Sequence, residues 1–530
     1  MPKLVSFFKS PRELAKRSFF IFPFESKLCQ RVDELPEIAA TADLSSEGIF
    51  TKCDQKFPHC GQCIRAREEC QGYRDEWELV FHDQTTHTIK RSKKAWAKAD
   101  GWETLRRSPP SRTPSLSSDE VGVNYFLFHF VVGGLSPSRG YLNYVPAVFN
   151  ADGENPTLIA SMAAVGLAAL ANSTQQRELS QQAYTKYWEA IDKVNAALGS
   201  SVESVKDSTL MSLISLGLFE QVSNFETWFR YIKGTVALVV SRGKSQFSSP
   251  AAIPMFNQVR ADMCAACIHR LEPFPREMLE LQEEANKQAD NSSCSWLLGV
   301  LATRTVNLLS DVTAVTIKDS ATLAHFMEES AVLQRDFQGV LGNFRTQEPY
   351  TTIRDYNGDP DLIYNSRYDL YRTTWAIRLW NNSRILQVIV CEIEFHLLSK
   401  ALTTSLPPAR QKQIAINLEA ICQILKTLGD DILATVPQSL GAVLSPTEPR
   451  TSADLSSDPS ANASASGGHL LMWCLYTVGK SPVTRGRTRK WIMKRLGDIG
   501  QKAGLPMALQ FVNDIDEIYK AASMLESVDN

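Results

Sequence analysis

The stretch IAINLEAICQILKTL at residues 414–428 decides the fold class, because its large apolar residues recur every three or four positions. They are Ile414, Leu418, Ile421, Leu425 and Leu428. This spacing places them along one face of an α-helix, with polar residues opposite. Residues 184–198 repeat the pattern, with apolar positions at Tyr184, Trp188, Ile191, Val194 and Leu198. Both stretches predict amphipathic helices that bury these faces.

The helical pattern runs from Val121 to about residue 525 and predicts a large all-α domain, in which helices pack on helices. Strand-like runs such as Val388–Val390 lie inside longer helical stretches, and no alternating region with hairpin turn signals stands out. The aromatic run YFLFHFVV at 125–132 is interpreted as core. Within the domain, TSADLSSDPSANASASGG at 451–468 predicts a disordered surface insert.

The composition is typical of a globular protein, since 44% of the 530 residues are hydrophobic, 22% are charged and the net charge is −2. Basic residues gather at 90–98 and 485–495, so a contact with nucleic acid is expected to be local. The longest apolar run, Leu158–Leu170, is shorter than the roughly 18 residues of a membrane span. It predicts a buried helix, and we expect no membrane partner.

The segment KCDQKFPHCGQCIRAREECQGY at 52–73 contains four cysteines spaced C-x6-C-x2-C-x6-C. They are Cys53, Cys60, Cys63 and Cys70. Pro58 and Gly61 favour turns between them, and short loops of this kind bring thiolates together around tetrahedral zinc. The segment has almost no core-forming residues, so a metal is its expected source of folding energy. The sequence therefore predicts a Zn²⁺ site here.

The rest of the chain offers weak candidates for chemistry. Cys264 and Cys267 form a C-x2-C pair, but no second pair lies nearby, and we interpret them as small core residues. The eight histidines form no metal-binding helical motif, and glycine-rich phosphate loops and nucleophile elbows are absent from the sequence. We therefore expect no enzymatic activity.

A basic run follows the cysteine segment and consists of Lys90, Arg91, Lys93 and Lys94. Beside a zinc segment it is a candidate for nuclear import or for phosphate contact, although such runs also occur on solvated linkers. The Pro- and Ser-rich residues 108–118 then mark a flexible boundary. Residues 1–24 combine five basic residues with aromatics, as mitochondrial presequences do, but Pro11 and Pro23 interrupt them.

The cysteine segment resembles the second half of the fungal Zn2Cys6 binuclear cluster of transcription factors. In that family six cysteines hold two zinc ions, and the four cysteines here match the third to the sixth, with Asp54 and Pro58 also matching. The helical part resembles the regulatory domain of the same family. That resemblance rests on Trp228, Gly234, Ala237, Leu238, Arg242 and Gly243, on Trp380, Asn381 and Arg384, and on WIMKRLGDIGQKAGLPMAL at 491–509.

The resemblance implies a nuclear regulator of RNA polymerase II genes that reads CGG-type DNA sites and controls a metabolic or secondary-metabolite gene cluster. Its implied DNA contacts are Lys52, Arg65 and Arg67, and its implied partners are DNA, the transcription machinery or co-regulators, and a second copy of the chain. The implied domains are an unassigned segment at 1–52, the partial cluster at 53–73, a disordered linker at 74–120 and the regulatory domain at 121–525.

The sequence departs from the family where the first two cysteines belong, because positions 43 and 46 hold Asp43 and Ser46. The base-reading helix of the family is replaced by LSSEGIFTK at 44–52, whose one basic residue is Lys52. Two interpretations remain open. Residues 1–52 come from a misassigned exon or retained intron, or they are genuine and the chain holds at most one zinc, with or without Cys29. In the second case the alternative function is a regulatory or scaffold protein that has lost DNA binding.

Overall fold

The chain after residue 115 folds as a succession of α-helices, which confirms the mostly α prediction. The computed structural model describes residues 116–132, 140–221, 225–315, 319–354, 359–402, 407–443, 465–502 and 505–528. The first helices are α1 (Ser118–Phe130), α2 (Val145–Asp152), α3 (Pro156–Thr174), α4 (Arg177–Leu198), α5 (Asp207–Gln221) and α6 (Phe225–Arg242). They are followed by α7 (Ala252–Arg270), α8 (Arg276–Asn286), α9 (Cys294–Ala314) and α10 (Ser320–Gln347). The last are α11 (Thr374–Leu402), α12 (Pro408–Leu433), α13 (Val436–Ser439), α14 (Ala465–Lys480), α15 (Gly486–Lys502) and α16 (Pro506–Val528).

Helix α1 begins inside the segment predicted to be linker, because a capping box starts it. The Glu120 amide donates to Ser117 Oγ at 3.2 Å, and the Ser117 amide donates to Glu120 Oε2 at 2.8 Å. Such reciprocal bonds satisfy amides that a helix start leaves free. The first described helix therefore begins slightly before the predicted Val121. Phe126 and Phe130 of the aromatic run are buried, as the sequence predicts.

Helix α3 forms the centre of the first half of the domain and packs against α1, α4 and α5. It is the one helix in the described ranges that is long and apolar enough to cross a membrane by length and composition, and 61% of its most apolar window is buried in the protein. Core helices of globular domains have the same composition, and Leu158, Met162 and Leu167 of α3 are fully buried. This agrees with the predicted buried helix.

Helices α1 and α3 approach closely at a pair of glycines. A Cβ atom added at Gly166 would lie 1.8 Å from the Gly122 carbonyl oxygen. We expect Gly166→Ala to lower the free energy of unfolding by about 1–3 kcal/mol, because two backbones must separate. The matched control is Gly234→Ala on α6, where no atom lies within 4 Å of the added Cβ. Chemical denaturation should show the control unchanged or more stable by up to about 1 kcal/mol. Equal stabilities of the two variants would contradict the close packing.

The predicted apolar face of α4 is wrong in part. Tyr184 and Trp188 are 53% and 56% exposed. The buried side consists of Ala183, Tyr187, Ala190, Val194 and Ala197. Helix α4 packs on the Ala-rich α3, so its small residues face inward, and Tyr187 fills the remaining space by stacking on Phe219 at 4.4 Å between ring centroids.

The predicted face of α12 is confirmed, because four of its five apolar positions are buried against α11 and Leu428 is partly buried there. Val388 and Val390 also lie within a helix, α11, as the sequence predicts. The core of the described residues forms three apolar clusters, of which the largest extends from α1 to α11.

A small antiparallel sheet was not predicted. It consists of β1 (Tyr350–Ile353) and β2 (Tyr368–Tyr371), with Tyr350 opposite Tyr371. Each strand has four residues. The connection between them is too long for the short hairpin signals that a sequence reveals.

The last residues of the predicted insert at 451–468 are helical, because α14 begins at Ala465. Residues 451–464 lie outside the described ranges.

Candidate functional site

The residues predicted to carry the DNA and zinc chemistry lie outside the described residues. They are the zinc ligands Cys53, Cys60, Cys63 and Cys70, the DNA contacts Lys52, Arg65 and Arg67, and the import candidates Lys90, Arg91, Lys93 and Lys94. Their predictions therefore rest on sequence alone. Among the described residues, no group of three or more His, Cys, Asp or Glu side chains could hold a metal ion.

The C-x2-C pair of α7 is part of the core, as predicted. Cys264 and Cys267 are both buried and free. Burial raises the pKa of the Cys267 thiol to about 12 and raises that of Cys264 further, so neither thiol ionises at neutral pH. These cysteines are inert packing residues.

The motif at the end of α6 joins helices together. Trp228 is buried in the core, and Arg242 forms an ion pair with Asp207, which also accepts a hydrogen bond from Ser249. Gly243 follows with φ of 62°, a left-handed conformation that glycine adopts without strain. These residues fix the turn between α6 and α7.

The motif on α11 forms a buried polar network. Arg384 Nη1 donates to Asn381 Oδ1 at 3.1 Å, and Arg384 Nη2 donates to the Tyr371 hydroxyl at 2.9 Å. Asn381 Nδ2 donates to Thr435 Oγ1 at 2.9 Å, just beyond α12. The indole nitrogen of Trp380 donates to the Glu348 carbonyl at 2.7 Å. The network connects α11 to β2 and to the end of α12.

A cavity of about 290 Å³ lies in the helical domain and is lined mainly by α7, α11 and α14. Apolar and aromatic side chains form most of its wall, including Trp228, Ile389 and Trp473. Its volume is just below the range of about 300–1,000 Å³ that is typical of pockets for small organic molecules. We call it the central cavity.

Polar groups occur at separate places in the central cavity. Arg378 Nη2 donates to Gln258 Oε1 at 2.7 Å, and Gln258 Nε2 donates to both Asp262 oxygens at 2.9 Å. Burial raises the pKa of the Asp262 carboxyl to about 6, although Gln258 and Arg378 oppose this change. Burial likewise raises the pKa of Glu392 to about 7 and lowers that of His469 to about 4. His469 is therefore uncharged at neutral pH, whereas Glu392 is about half ionised.

Sequence reasoning missed the central cavity. Its polar residues come from α7, α11 and α14, which are separated by more than a hundred positions along the chain or by the insert. Each of them, taken alone, is an ordinary polar residue in a helix. Only the tertiary packing brings them together, so no local signal marks the site.

Comparison with protein families decides the nature of the cysteine segment. Residues 51–77 match the family described as fungal Zn(2)-Cys(6) binuclear cluster domain. Residues 51–77 are a segment similar to that domain, which we call the zinc-cluster domain. The match includes all four predicted zinc ligands, and zinc is the metal of this domain. The family is one of transcription factors, so the zinc-cluster domain supports a role in transcription with DNA binding. No curated protein and no solved structure matches the chain.

The donors of the zinc-cluster domain fit zinc but do not complete two sites. The family's domain holds two zinc ions through six cysteines, whereas the matched residues contain four. Four thiolates complete one tetrahedral zinc shell. The match begins at Thr51, after the positions where Asp43 and Ser46 replace the first two cysteines.

Proposed function

We propose that the chain is a nuclear, zinc-dependent transcription factor that binds CGG-type DNA sites. The match of residues 51–77 to the zinc-cluster family carries this proposal. Cys53, Cys60, Cys63 and Cys70 hold one zinc ion, and Lys52, Arg65 and Arg67 contact the DNA. Lys90, Arg91, Lys93 and Lys94 direct nuclear import. Each phosphate contact adds affinity and salt dependence, so a domain with few basic residues binds DNA weakly.

The helical domain is the regulatory part of the proposed factor. Two observations support this role: most residues of the resemblance motifs on α6 and α11 are buried, and the domain contains a cavity of about 290 Å³. Its targets are RNA polymerase II genes, among which a metabolic or secondary-metabolite gene cluster is the expected class. Its partners are co-regulators or the transcription machinery, together with a second copy of the chain, and the role is regulatory rather than enzymatic.

A gel-shift titration of the full chain against CGG-containing DNA tests the proposal. We expect retardation that weakens with salt, because counterions are released on binding. Cys60→Ala should abolish retardation, because it removes a zinc ligand. Cys264→Ala serves as the control, since Cys264 lies in the core of the helical domain. Equal retardation by the chain and by Cys60→Ala, or retardation by neither, argues against DNA reading by this chain.

One observation favours a second function, a regulatory or scaffold protein that has lost DNA binding. The family match begins after the missing cysteines and the missing basic helix. In that case the chain acts through its helical domain, and complexes with protein partners should survive chelation of zinc. Zinc-dependent DNA binding by the purified chain would exclude this second function.

A further inference from the structure

The central cavity has two polar ends separated by an apolar middle. The first end contains Arg378, Asp262 and His469, and the charge of Arg378 reaches both of the others. The second end contains Glu392 and Lys480, which interact with each other. Arg378 and Glu392 both lie on α11, and a helix rises 1.5 Å per residue, so their Cα atoms are roughly 20 Å apart. The cavity is therefore elongated.

Each end carries a buried polar atom without a hydrogen-bond partner among the described protein atoms. These atoms are Glu392 Oε1 and His469 Nδ1, and their residues are only 3% and 6% exposed. Buried polar groups in native proteins are nearly always paired, and leaving one unpaired is destabilising. Both residues line the cavity. Two such atoms at opposite ends of one cavity indicate a ligand that pairs with both.

The charge balance of the cavity favours a neutral ligand. Asp262 faces Arg378 at the first end, and Glu392 faces Lys480 at the second, so each end holds one acidic and one basic side chain that already interact. A charged ligand would have to lose its hydration without gaining a counter-ion of its own. The neutral imidazole of His469 can donate or accept a hydrogen bond, and the Glu392 carboxyl accepts one in either state and donates one when protonated, which suits hydroxyl and carbonyl groups.

The wall between the two ends favours an apolar ligand with rings. Trp228, Tyr141 and Trp473 contribute aromatic surface to the lining, and Ile389 and Leu386 contribute aliphatic surface. Aromatic side chains pack on flat ring systems with favourable stacked or edge-to-face geometry. The ligand therefore buries its apolar middle here while its ends are hydrogen-bonded.

We propose that the central cavity binds a neutral, elongated, largely apolar small molecule with a hydroxyl or carbonyl group at each end. Glu392 binds one end and His469 the other. The inference does not depend on DNA binding, because the ligand contacts residues of the helical domain alone.

The first experiment titrates prodan, a neutral naphthalene ketone whose emission shifts to the blue in apolar surroundings, into the full chain. We expect saturable, blue-shifted emission at one site. Ala265→Trp should weaken the binding at least about tenfold, because Ala265 lines the cavity and tryptophan fills it. The control is Ala196→Trp, at an exposed position of α4, which should bind as the parent does. Absence of saturable binding, or equal binding by Ala265→Trp, overturns the proposal.

A competition experiment on the unmodified chain tests the charge and needs no variant to fold. Dodecanediol, which is neutral and has a hydroxyl at each end, should displace prodan at lower concentration than dodecanoate does. Equal or better displacement by dodecanoate overturns the inference of a neutral ligand.

A pair of variants on α11 tests the polar end. In Glu392→Leu, the concentration of dodecanediol that displaces prodan should rise about fivefold, which is the effect of one lost hydrogen bond. Its melting temperature should be unchanged or higher, because the variant removes a buried carboxyl whose Oε1 has no hydrogen-bond partner, and the Lys480 beside it is partly exposed to water. The control is Glu394→Leu, since Glu394 accepts hydrogen bonds from Ser330 and Gln334 and does not line the cavity. That variant should melt at a lower temperature and compete as the parent does. Unchanged competition in Glu392→Leu overturns the assigned role of Glu392.

Discussion

Asp369→Asn is expected to lower the free energy of unfolding of the helical domain by about 3–5 kcal/mol, as breaking a buried ion pair does. Asp369 lies on β2 and is fully buried. Its carboxylate accepts hydrogen bonds from Arg367 Nη2 at 3.1 and 3.2 Å and from Thr352 Oγ1 at 2.7 Å. It also lies 3.9 Å from Arg384 Nη2. The amide of asparagine keeps the shape of this side chain and removes its charge.

The cost of this substitution arises at Arg384. Arg384 is 2% exposed, and its hydrogen-bond partners, Asn381 and the Tyr371 hydroxyl, are neutral. The charge of Asp431 also reaches Arg384, but Asp431 is partly exposed and binds Arg367 directly. Without Asp369, a buried positive charge loses its nearest counter-ion in a medium that solvates it poorly. Arg367 is affected less, because it keeps an ion pair with Asp431 at 2.8 Å.

Asp431→Asn is the matched control, since Asp431 also binds Arg367 but is partly exposed. The expected loss is smaller, about 1 kcal/mol, because both side chains of this pair keep some contact with water, which replaces part of the interaction. Urea unfolding followed by circular dichroism measures both variants. If Asp369→Asn is destabilising because the buried Arg384 charge loses its counter-ion, the double variant Asp369→Asn with Arg384→Met should be more stable than Asp369→Asn alone. Equal losses in the two single variants would contradict this account.

The sequence predicts the helical class because that class follows from local periodicity. The spacing in 414–428 gives the buried face of α12 correctly. On α4 the same reasoning selects Tyr184 and Trp188, whereas the structure buries the alanine side. Alanine carries little hydrophobic signal, yet it permits the close approach of α3 and α4, and that approach decides which face is buried. Which face of α4 is buried therefore depends on the packing of α3 against α4, and the sequence of α4 alone does not reveal it.

The zinc segment, the Arg384 network and the central cavity also differ in how far the sequence predicts them. The four predicted zinc ligands fall within eighteen residues, so their spacing alone is enough to predict a zinc site, and zinc is the metal of the matched family. The network of Arg384 requires β2, which has four residues and no tight turn, and the end of α12. The central cavity requires three helices from distant parts of the chain. Predictability thus falls as the number of separate elements in a site increases.

Purified chain is expected to contain about one zinc ion, and Cys60→Ala or Cys63→Ala should contain almost none. Four thiolates form one complete tetrahedral shell, and loss of any one opens it. Structural zinc contributes on the order of 10–16 kcal/mol to small domains, so a segment with few core residues cannot fold without it. Metal analysis after gel filtration measures the zinc content.

Two further measurements separate the zinc-cluster domain from the helical domain. Cys264→Ala and Cys267→Ala remove a C-x2-C pair of the same spacing, but these thiols are buried in α7 with raised pKa values, so zinc content should not change. Chelation should abolish DNA binding and leave the helical circular dichroism signal unchanged, because no described group of side chains in the helical domain could hold a metal. Two zinc ions per chain would mean that further ligands, such as Cys29, complete the cluster. Zinc retained by Cys60→Ala would show that the metal is bound elsewhere.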